Sequence, residues 1–203
     1  MPDAPPDGAG RLAVPDPRFG GAVPVTGTGP IFALDGIMPT IAPDAFIAPS
    51  AAVIGDVTVG AETGIWFHCL VRGDLNSIRI GARTNIQDGT IIHVDSGAFR
   101  TTIGDDVTVG HNAVIHACTL KDRAFVGISA TVLDGAVIEA GGMLAAGGLL
   151  TPGKTIGPNE LWAGTPARLL RVMTADERKR FDRNAEVYRA LARRFRAGLR
   201  STP

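Results

Sequence analysis

The sequence predicts an all-β protein, a parallel β-helix of hexapeptide repeats with a C-terminal α-helix packed along it. Three observations lead to this prediction. Aliphatic residues recur every six positions over most of the chain, glycine accounts for 26 of 203 residues, and aromatic residues make up only 5%. Many glycines combined with few aromatic residues indicate numerous tight turns around a narrow aliphatic core.

The six-residue repeat runs from residue 41 to residue 156. The repeated positions are Ile41, Ile47, Val53, Val59, Ile65 and Val71, then Ile80, Ile86 and Ile92, then Ile103, Val109 and Ile115, and finally Leu120, Val126, Val132, Ile138, Leu144, Leu150 and Ile156. This period fits neither an α-helix nor an extended strand, whereas it fits a short strand followed by a turn. Three such units make a triangular coil of about 18 residues, stacked on the next at about 4.8 Å. An ordinary β-sandwich would not keep one phase over so many repeats.

The two ends of the chain depart from the repeat. Residues 1–30 are rich in Pro, Gly and Ala and have no periodicity, so they predict a flexible tail before a β-helix over residues 31–172. Thr174-Ala-Asp-Glu177 has the pattern of a capping box and predicts a helix over residues 173–199. The apolar stripe of this helix, which should pack on the β-helix, consists of Phe181, Ala185, Tyr188, Leu191 and Phe195.

Composition excludes several classes of partner. Acidic and basic residues balance at 20 each, so no overall field favours nucleic acid or an anionic membrane, and no apolar run is long enough to span a bilayer. The acidic, Pro-rich start MPDAPPDGAG does not resemble a signal or transit peptide. Cys69 and Cys118 form no disulfide framework, so we expect reduced thiols in a cytoplasmic protein with no nucleic-acid or membrane partner.

Insertions in the repeat set the register of two histidines. The step that follows Val71 is nine residues instead of six, and the step that follows Ile92 is eleven. With coils of about 18 residues and these insertions, His93 and His116 stack directly on one another. Arg72 falls in the same column one coil earlier. Each follows an inward aliphatic residue and therefore points outward, which predicts a polar column on one face.

A second polar column follows from the same register. It places Asp88 beside His111 and Gln87 beside Gly110, near the neighbouring corner of the prism. Stacked histidines about 4.8 Å apart can direct their nitrogens to one metal with bonds of roughly 2.0–2.1 Å. Because His111 leaves from another face, a threefold axis could bring it to the stacked pair of a second subunit. His68 lies outside both columns and is expected to be a surface or interface residue.

The segments VRGDLNSIRIGARTNIQDGTIIHV and VTVGHNAVIHACTL resemble the γ-class carbonic anhydrases, over roughly residues 31–195. The resemblance implies a left-handed coil and a homotrimer with metal sites shared between subunits. It also implies reversible hydration of CO2 to bicarbonate by a metal-bound hydroxide, with Zn²⁺ as the metal and Fe²⁺ or Co²⁺ as alternatives. The residues that match the metal ligands are His93, His111 and His116.

The same resemblance implies roles for five further residues. Arg72 and Asp74 match an Arg–Asp pair at the subunit interface, and Tyr188 matches an active-site tyrosine on the C-terminal helix. Gln87 and Asp88 match residues that face the metal-bound water. We expect Arg72 to hold the subunit interface through Asp74 and Asp88 rather than to contact substrate. We expect Gln87 to orient the hydroxide or CO2.

The sequence departs from the best-studied γ enzymes at three places. The insertion after His93, VDSGAFRTT, is short and has Asp95 as its only acid, and the insertion after Asp74 has no glutamate. An asparagine near the helix tyrosine is missing, because Ala190 occupies the comparable place. The chain thus resembles a short-loop branch that includes active, weak and inactive anhydrases. Without a shuttle glutamate, export of the proton should be slow or depend on buffer.

Three other functions stay open. A hexapeptide acyltransferase shares the fold and uses one histidine as a general base, with coenzyme A bound along the prism. A catalytically weak or inactive scaffold subunit would keep the same histidines. A metal hydrolase would use the same site on another small ester or thioester. Three histidines in a metal-binding pattern argue against the acyltransferase, and metal analysis with a CO2 hydration assay separates most of these functions.

Overall fold

A computed structural model describes residues 23–24 and 29–201 of the chain. The protein is a left-handed parallel β-helix with one α-helix along it, which confirms the predicted fold class. Most of the predicted flexible tail, residues 1–30, lies outside the described residues, so its flexibility stays a prediction. Val23–Pro24 and Arg200–Ser201 form an antiparallel pair.

The β-helix has three faces, each a stack of short parallel strands. The first face contains Ile31–Phe32, Ile91–His93, Val114–His116, Thr131–Val132 and Leu149–Leu150. The second contains Thr40–Ile41, Thr101–Ile103, Thr119–Leu120, Val137–Ile138 and Thr155–Ile156. Two longer strands, Ala52–Val59 and Leu70–Ile80, turn the corner and belong to both faces. The third contains Phe46–Ile47, Gly64–Ile65, Asn85–Ile86, Thr108–Val109, Phe125–Val126, Met143–Leu144 and Glu160–Gly164, followed by antiparallel Ala167–Val172.

The repeated aliphatic residues fill the interior, as predicted. From Ile47 to Ile156 these side chains are at most 3% exposed, whereas Ile41 at the first coil is only partly buried. Cys69 and Cys118 are buried free thiols. Burial raises the pKa of both, that of Cys69 to about 12, so neither supplies a thiolate at neutral pH.

Strand pairing confirms the first polar column. His93 pairs with His116, and Val71 pairs with Ile92, which places Arg72 next to His93 along the same face. Insertions therefore lengthen individual coils without breaking the stack, because the extra residues loop out between faces.

One coil is shorter than the regular repeat. Ile115 pairs with Val132, not with Leu133, the residue that a full coil would bring there. The short step is taken at Ala117, which is buried and has a positive φ of 47°. This shift brings Leu133 level with His116 and leaves Asp134, in the turn, one position past the histidine column.

The helix spans Ala175–Gly198 and begins at the predicted capping box, in which the Thr174 hydroxyl accepts from the Glu177 backbone. It packs on the third face against Phe46–Ile47, Gly64–Ile65 and Asn85–Ile86. Trp66 contacts Tyr188 and Phe195 edge-on, and their ring centroids lie 5.3 and 5.2 Å away. These contacts confirm the predicted apolar stripe and fix the helix beside the second polar column. No helix in residues 29–201 is long and apolar enough to cross a membrane.

Candidate metal centre

His93 and His116 face each other on adjacent strands of the first face. The Nδ1 atom of His93 lies 3.2 Å from the Nε2 atom of His116, and the ring centroids are 5.2 Å apart. Two nitrogens bound to one tetrahedral zinc at about 2.0–2.1 Å lie roughly 3.3–3.4 Å apart. The observed separation therefore fits two imidazoles that share one metal ion.

The far nitrogen of each ring contacts a carboxylate. His93 Nε2 lies 2.8 Å from Asp74 Oδ1, and His116 Nδ1 contacts Asp134 Oδ1. A carboxylate accepts hydrogen bonds, so each far nitrogen carries the ring proton and each facing nitrogen presents a lone pair. Two lone pairs at this distance repel one another unless a proton or a metal ion lies between them. The arrangement thus offers two imidazole nitrogens to one cation, and imidazole is a ligand type that suits zinc.

Arg72 extends this chain of contacts. Its guanidinium donates to Asp74 Oδ2, so one aspartate joins the arginine to His93. Burial would by itself raise the pKa of Asp74. The hydrogen bond from His93 and the charge of Arg72 outweigh that effect, so the pKa falls below its usual range. Asp74 therefore remains ionised at neutral pH and can hold the His93 tautomer. We call this set the first-face half-site: Arg72, Asp74, His93, His116 and Asp134.

His111 lies at the corner after the third face, with Asp88, as the register predicts. Its Nδ1 is 3.0 Å from Asp88 Oδ2, and its Nε2 is 3.3 Å from the Tyr188 hydroxyl. Gly110 makes this corner possible, since a Cβ there would lie 2.7 Å from the backbone nitrogen of Ile128. His111 thus repeats the pattern of the other two histidines, with one nitrogen on a carboxylate and the other available.

Gln87 is held in a buried network of amide groups. The side chain is 4% exposed, and its Nε2 lies 3.1 Å from Asn85 Oδ1 and 3.5 Å from Asn184 Oδ1. Asn85 in turn donates to the Thr108 hydroxyl at 2.9 Å. Because both amide protons of Gln87 are directed to other side chains, its Oε1 is left as an acceptor.

Asn184 corrects an expectation about the helix. Ala190 in the comparable place predicts that no asparagine lies near Tyr188, yet Asn184 lies one turn before the tyrosine on the same helix face. Ala190 is exposed and points away from the β-helix. Asn85, Asn184 and Asp134 are the three site residues to which neither the repeat nor the resemblance assigns a role. We call the second set the corner half-site: Asn85, Gln87, Asp88, His111, Asn184 and Tyr188.

Tyr188 joins the helix to this corner. The side chain is partly buried against Trp66, and its hydroxyl faces His111. Burial raises the pKa of Tyr188, and the negative charge of Asp88 raises it further. The phenol is therefore neutral near pH 7 and acts as a hydrogen-bond donor rather than a base.

The two half-sites are not joined within one chain. Among residues 23–24 and 29–201, no three His, Cys, Asp or Glu side chains form a group that could hold a metal ion. If the metal site is shared between subunits, its ligands must be separated in this way within one chain. The separation alone does not demonstrate a shared site, so the threefold assembly stays a prediction. His68 lies on an exposed turn and belongs to neither half-site, although the adjacent Phe67 carbonyl accepts from the Gly89 backbone at 2.9 Å. The His68 backbone N–H donates to Ser50 Oγ at 3.1 Å.

No protein-family model matches the chain, but individual proteins and solved structures do. The chain is 47% identical over 159 residues to gamma carbonic anhydrase 2, mitochondrial, of Arabidopsis thaliana. The aligned residues make up 76% of this chain but only 57% of the plant protein. It is also 43% identical over 158 residues to a carbonic anhydrase of Geobacillus kaustophilus, and this alignment covers 78% of this chain and 86% of that protein. A solved hexapeptide transferase family protein from Anaplasma phagocytophilum has 46% identity and a TM-score of 0.79, over 82% of this chain and 98% of that one.

Proposed function

The chain belongs to the γ-class carbonic anhydrase family, and from this premise we propose that it catalyses the reversible hydration of CO2 to bicarbonate at a metal centre. The proposal rests chiefly on the lone pairs of His93 and His116, which face each other across 3.2 Å. A homotrimer, in which a neighbouring subunit's His111 completes the ligand set, is part of the proposal. So is a cytoplasmic location, although the Arabidopsis relative is named mitochondrial.

Zn²⁺ is the proposed ion, and Fe²⁺ or Co²⁺ would accept the same imidazole ligands. Zinc with three neutral imidazoles and one open position lowers the pKa of a coordinated water to about 7, which supplies hydroxide at neutral pH. The chain contributes preorganisation, because Asp74, Asp88 and Asp134 each hold one histidine in the tautomer that leaves a nitrogen free. No large rearrangement of the rings is needed before the ion binds.

Gln87 is the proposed residue that orients the reactants. Its amide protons are directed to Asn85 and Asn184, so its Oε1 can accept a hydrogen bond from a hydroxyl group. The buried network fixes this orientation in advance, which avoids an entropic cost at the moment of reaction. Tyr188, neutral at ordinary pH, keeps a donor directed at the same corner. Arg72 acts on the ligands through Asp74 and has no contact that suggests a role with substrate.

Hydration releases one proton for each bicarbonate, and this proton must leave the site. Each aspartate of the two half-sites is engaged with a histidine. The raised pKa of Tyr188 keeps its phenol protonated near pH 7, so it has no free position for the released proton. Asp95, the one acid in the loop after His93, accepts a hydrogen bond from the Gly97 backbone at 3.1 Å. We therefore propose that proton export, rather than attack on CO2, limits turnover.

The test is a CO2 hydration assay by stopped flow across a series of imidazole buffer concentrations at fixed ionic strength. We expect kcat to rise with buffer while kcat/KM stays almost constant, because kcat/KM reports attack on CO2, which precedes proton export. Asp95→Asn is the matched variant, and it should leave the buffer dependence unchanged. A high turnover that is indifferent to buffer would show that a group in the chain carries the proton.

The alternatives predict a different outcome in the same assay. Absence of hydration at every buffer concentration, in zinc-, cobalt- and anaerobic iron-loaded protein, would overturn the proposed activity. A scaffold subunit would then bind metal without turnover, and a metal hydrolase would cleave a small ester or thioester. An acyltransferase would bind coenzyme A, and in that case loss of the metal would not abolish the transfer reaction.

A further inference from the structure

Asp134 is a site residue to which the resemblance assigns no role. It lies in the turn that follows Thr131–Val132, and its Oδ1 contacts the Nδ1 atom of His116. Because Ile115 pairs with Val132, the residue level with His116 is Leu133, and Asp134 lies one position past the histidine column. The Asp134 carboxylate therefore reaches back to His116 from the turn and not from the strand itself.

The turn that carries Asp134 is anchored to the coils on both sides. The Asp134 carbonyl accepts from the Gly153 backbone at 2.9 Å, and the Gly135 backbone donates to the Ala117 carbonyl at 2.8 Å. Gly135 has a positive φ of 65°, and a Cβ on it would lie 3.0 Å from the Phe99 ring. The backbone therefore holds the carboxylate beside His116 in a fixed place, so little ordering is needed to make the contact.

We infer that Asp134 is a positioning residue of the metal centre, which fixes the Nδ1–H tautomer and the ring orientation of His116. This inference rests on the proposed metal site. A histidine ligand usually donates its second ring N–H to a carboxylate or carbonyl, and loss of that partner typically costs about 10–100-fold in metal affinity. Both side chains are partly exposed, at 41% for Asp134 and 30% for His116, so orientation of the ring outweighs any gain in folding stability.

The test compares Asp134→Ala and Asp134→Asn with Asp122→Ala. Asp122 is a matched control because it is also a turn aspartate of the β-helix, but it accepts from the Asp105 backbone at 2.9 Å rather than from a histidine. Zinc affinity is measured by competition with a chromophoric chelator, on protein whose assembly is checked by light scattering. We expect affinity to fall about 10–100-fold in Asp134→Ala, less in Asp134→Asn, which keeps an oxygen acceptor, and not at all in the control.

Two outcomes would overturn the inference. One is zinc affinity in Asp134→Ala within about twofold of the unaltered protein, with the assembly intact. The other is a nitrogen-15 spectrum of the unaltered, histidine-labelled protein in which zinc-bound His116 carries its proton on Nε2. The spectrum needs no variant and decides the question even if Asp134→Ala fails to assemble. If the unaltered protein bound no zinc, the proposed metal centre itself would fail, and that result is distinct from both.

Discussion

Alanine in place of His93, His111 or His116 is expected to reduce bound zinc from about one ion per chain to about a tenth or less. A tetrahedral site with one open position needs three protein ligands, and the facing pair supplies two. The measurement is metal content by mass spectrometry after gel filtration. His111→Ala is the most informative of the three variants, because His111 contacts neither member of the facing pair within one chain.

His68→Ala is the matched control for this expectation. His68 is the fourth histidine of the chain, lies on an exposed turn and has no carboxylate partner among the contacts of residues 29–201. Its removal should leave zinc content unchanged. An equal loss of zinc in all four variants would mean that the two polar columns do not identify the ligands. Full retention of zinc in His111→Ala would show that His111 is not a metal ligand. The third ligand of the stacked pair would then be a different residue.

The two polar columns could be predicted because they depend only on counting. In a stack of coils the period and the insertions determine which residues become neighbours, so the pairing of His93 with His116 follows from the sequence alone. The pairing of Ile115 with Val132 depends on a step of five residues that can also be counted, and a strict count would have placed Asp134 beside the column. That signal was available but carries no motif, so nothing singles it out in advance.

The contact between Gln87 and Asn184 could not be predicted in the same way. The helix joins the β-helix through side chains far apart in sequence, so its rotation and its position along the third face decide which residues reach the corner. Packing of Trp66 between Tyr188 and Phe195 sets that rotation. It turns Asn184 toward Gln87 and leaves Ala190 exposed, which the order of residues on the helix alone does not determine.

The tautomers of the three histidines depend on three-dimensional contacts as well. The motifs identify Asp74 and Asp88 as site residues, but only the geometry shows that each contacts one ring nitrogen of a histidine. With Asp134, every candidate ligand has one ring nitrogen on a carboxylate, and the other faces a second histidine or the Tyr188 hydroxyl. This common pattern supports the proposal that the two half-sites, on different faces of the prism, serve one metal centre.

Mixing of two inactive variants is expected to restore metal sites if the two half-sites come from neighbouring subunits. In a cyclic trimer, a His111→Ala subunit still supplies the facing pair, and a His93→Ala subunit still supplies His111. Every mixed trimer then contains one complete site out of three. Random assembly from equal amounts yields mixed trimers about three quarters of the time, so about a quarter of all sites should bind zinc, with CO2 hydration recovered in proportion.

The matched control for this experiment is a mixture of His93→Ala with His116→Ala. Both changes damage the facing pair, so no subunit of that mixture can supply it and no site should be restored. A mixture of His111→Ala with His116→Ala, by contrast, should recover the same quarter as the first mixture. The variants are co-expressed with different affinity tags, and mixed trimers are isolated by successive purification on both tags before zinc is measured. In these isolated mixed trimers, the expected quarter of all sites becomes one site in three. If all three mixtures stayed without zinc although mixed trimers had formed, the site would lie within one chain. If all three recovered zinc equally, His93 and His116 would come from different subunits, and their contact within one chain would not form the site.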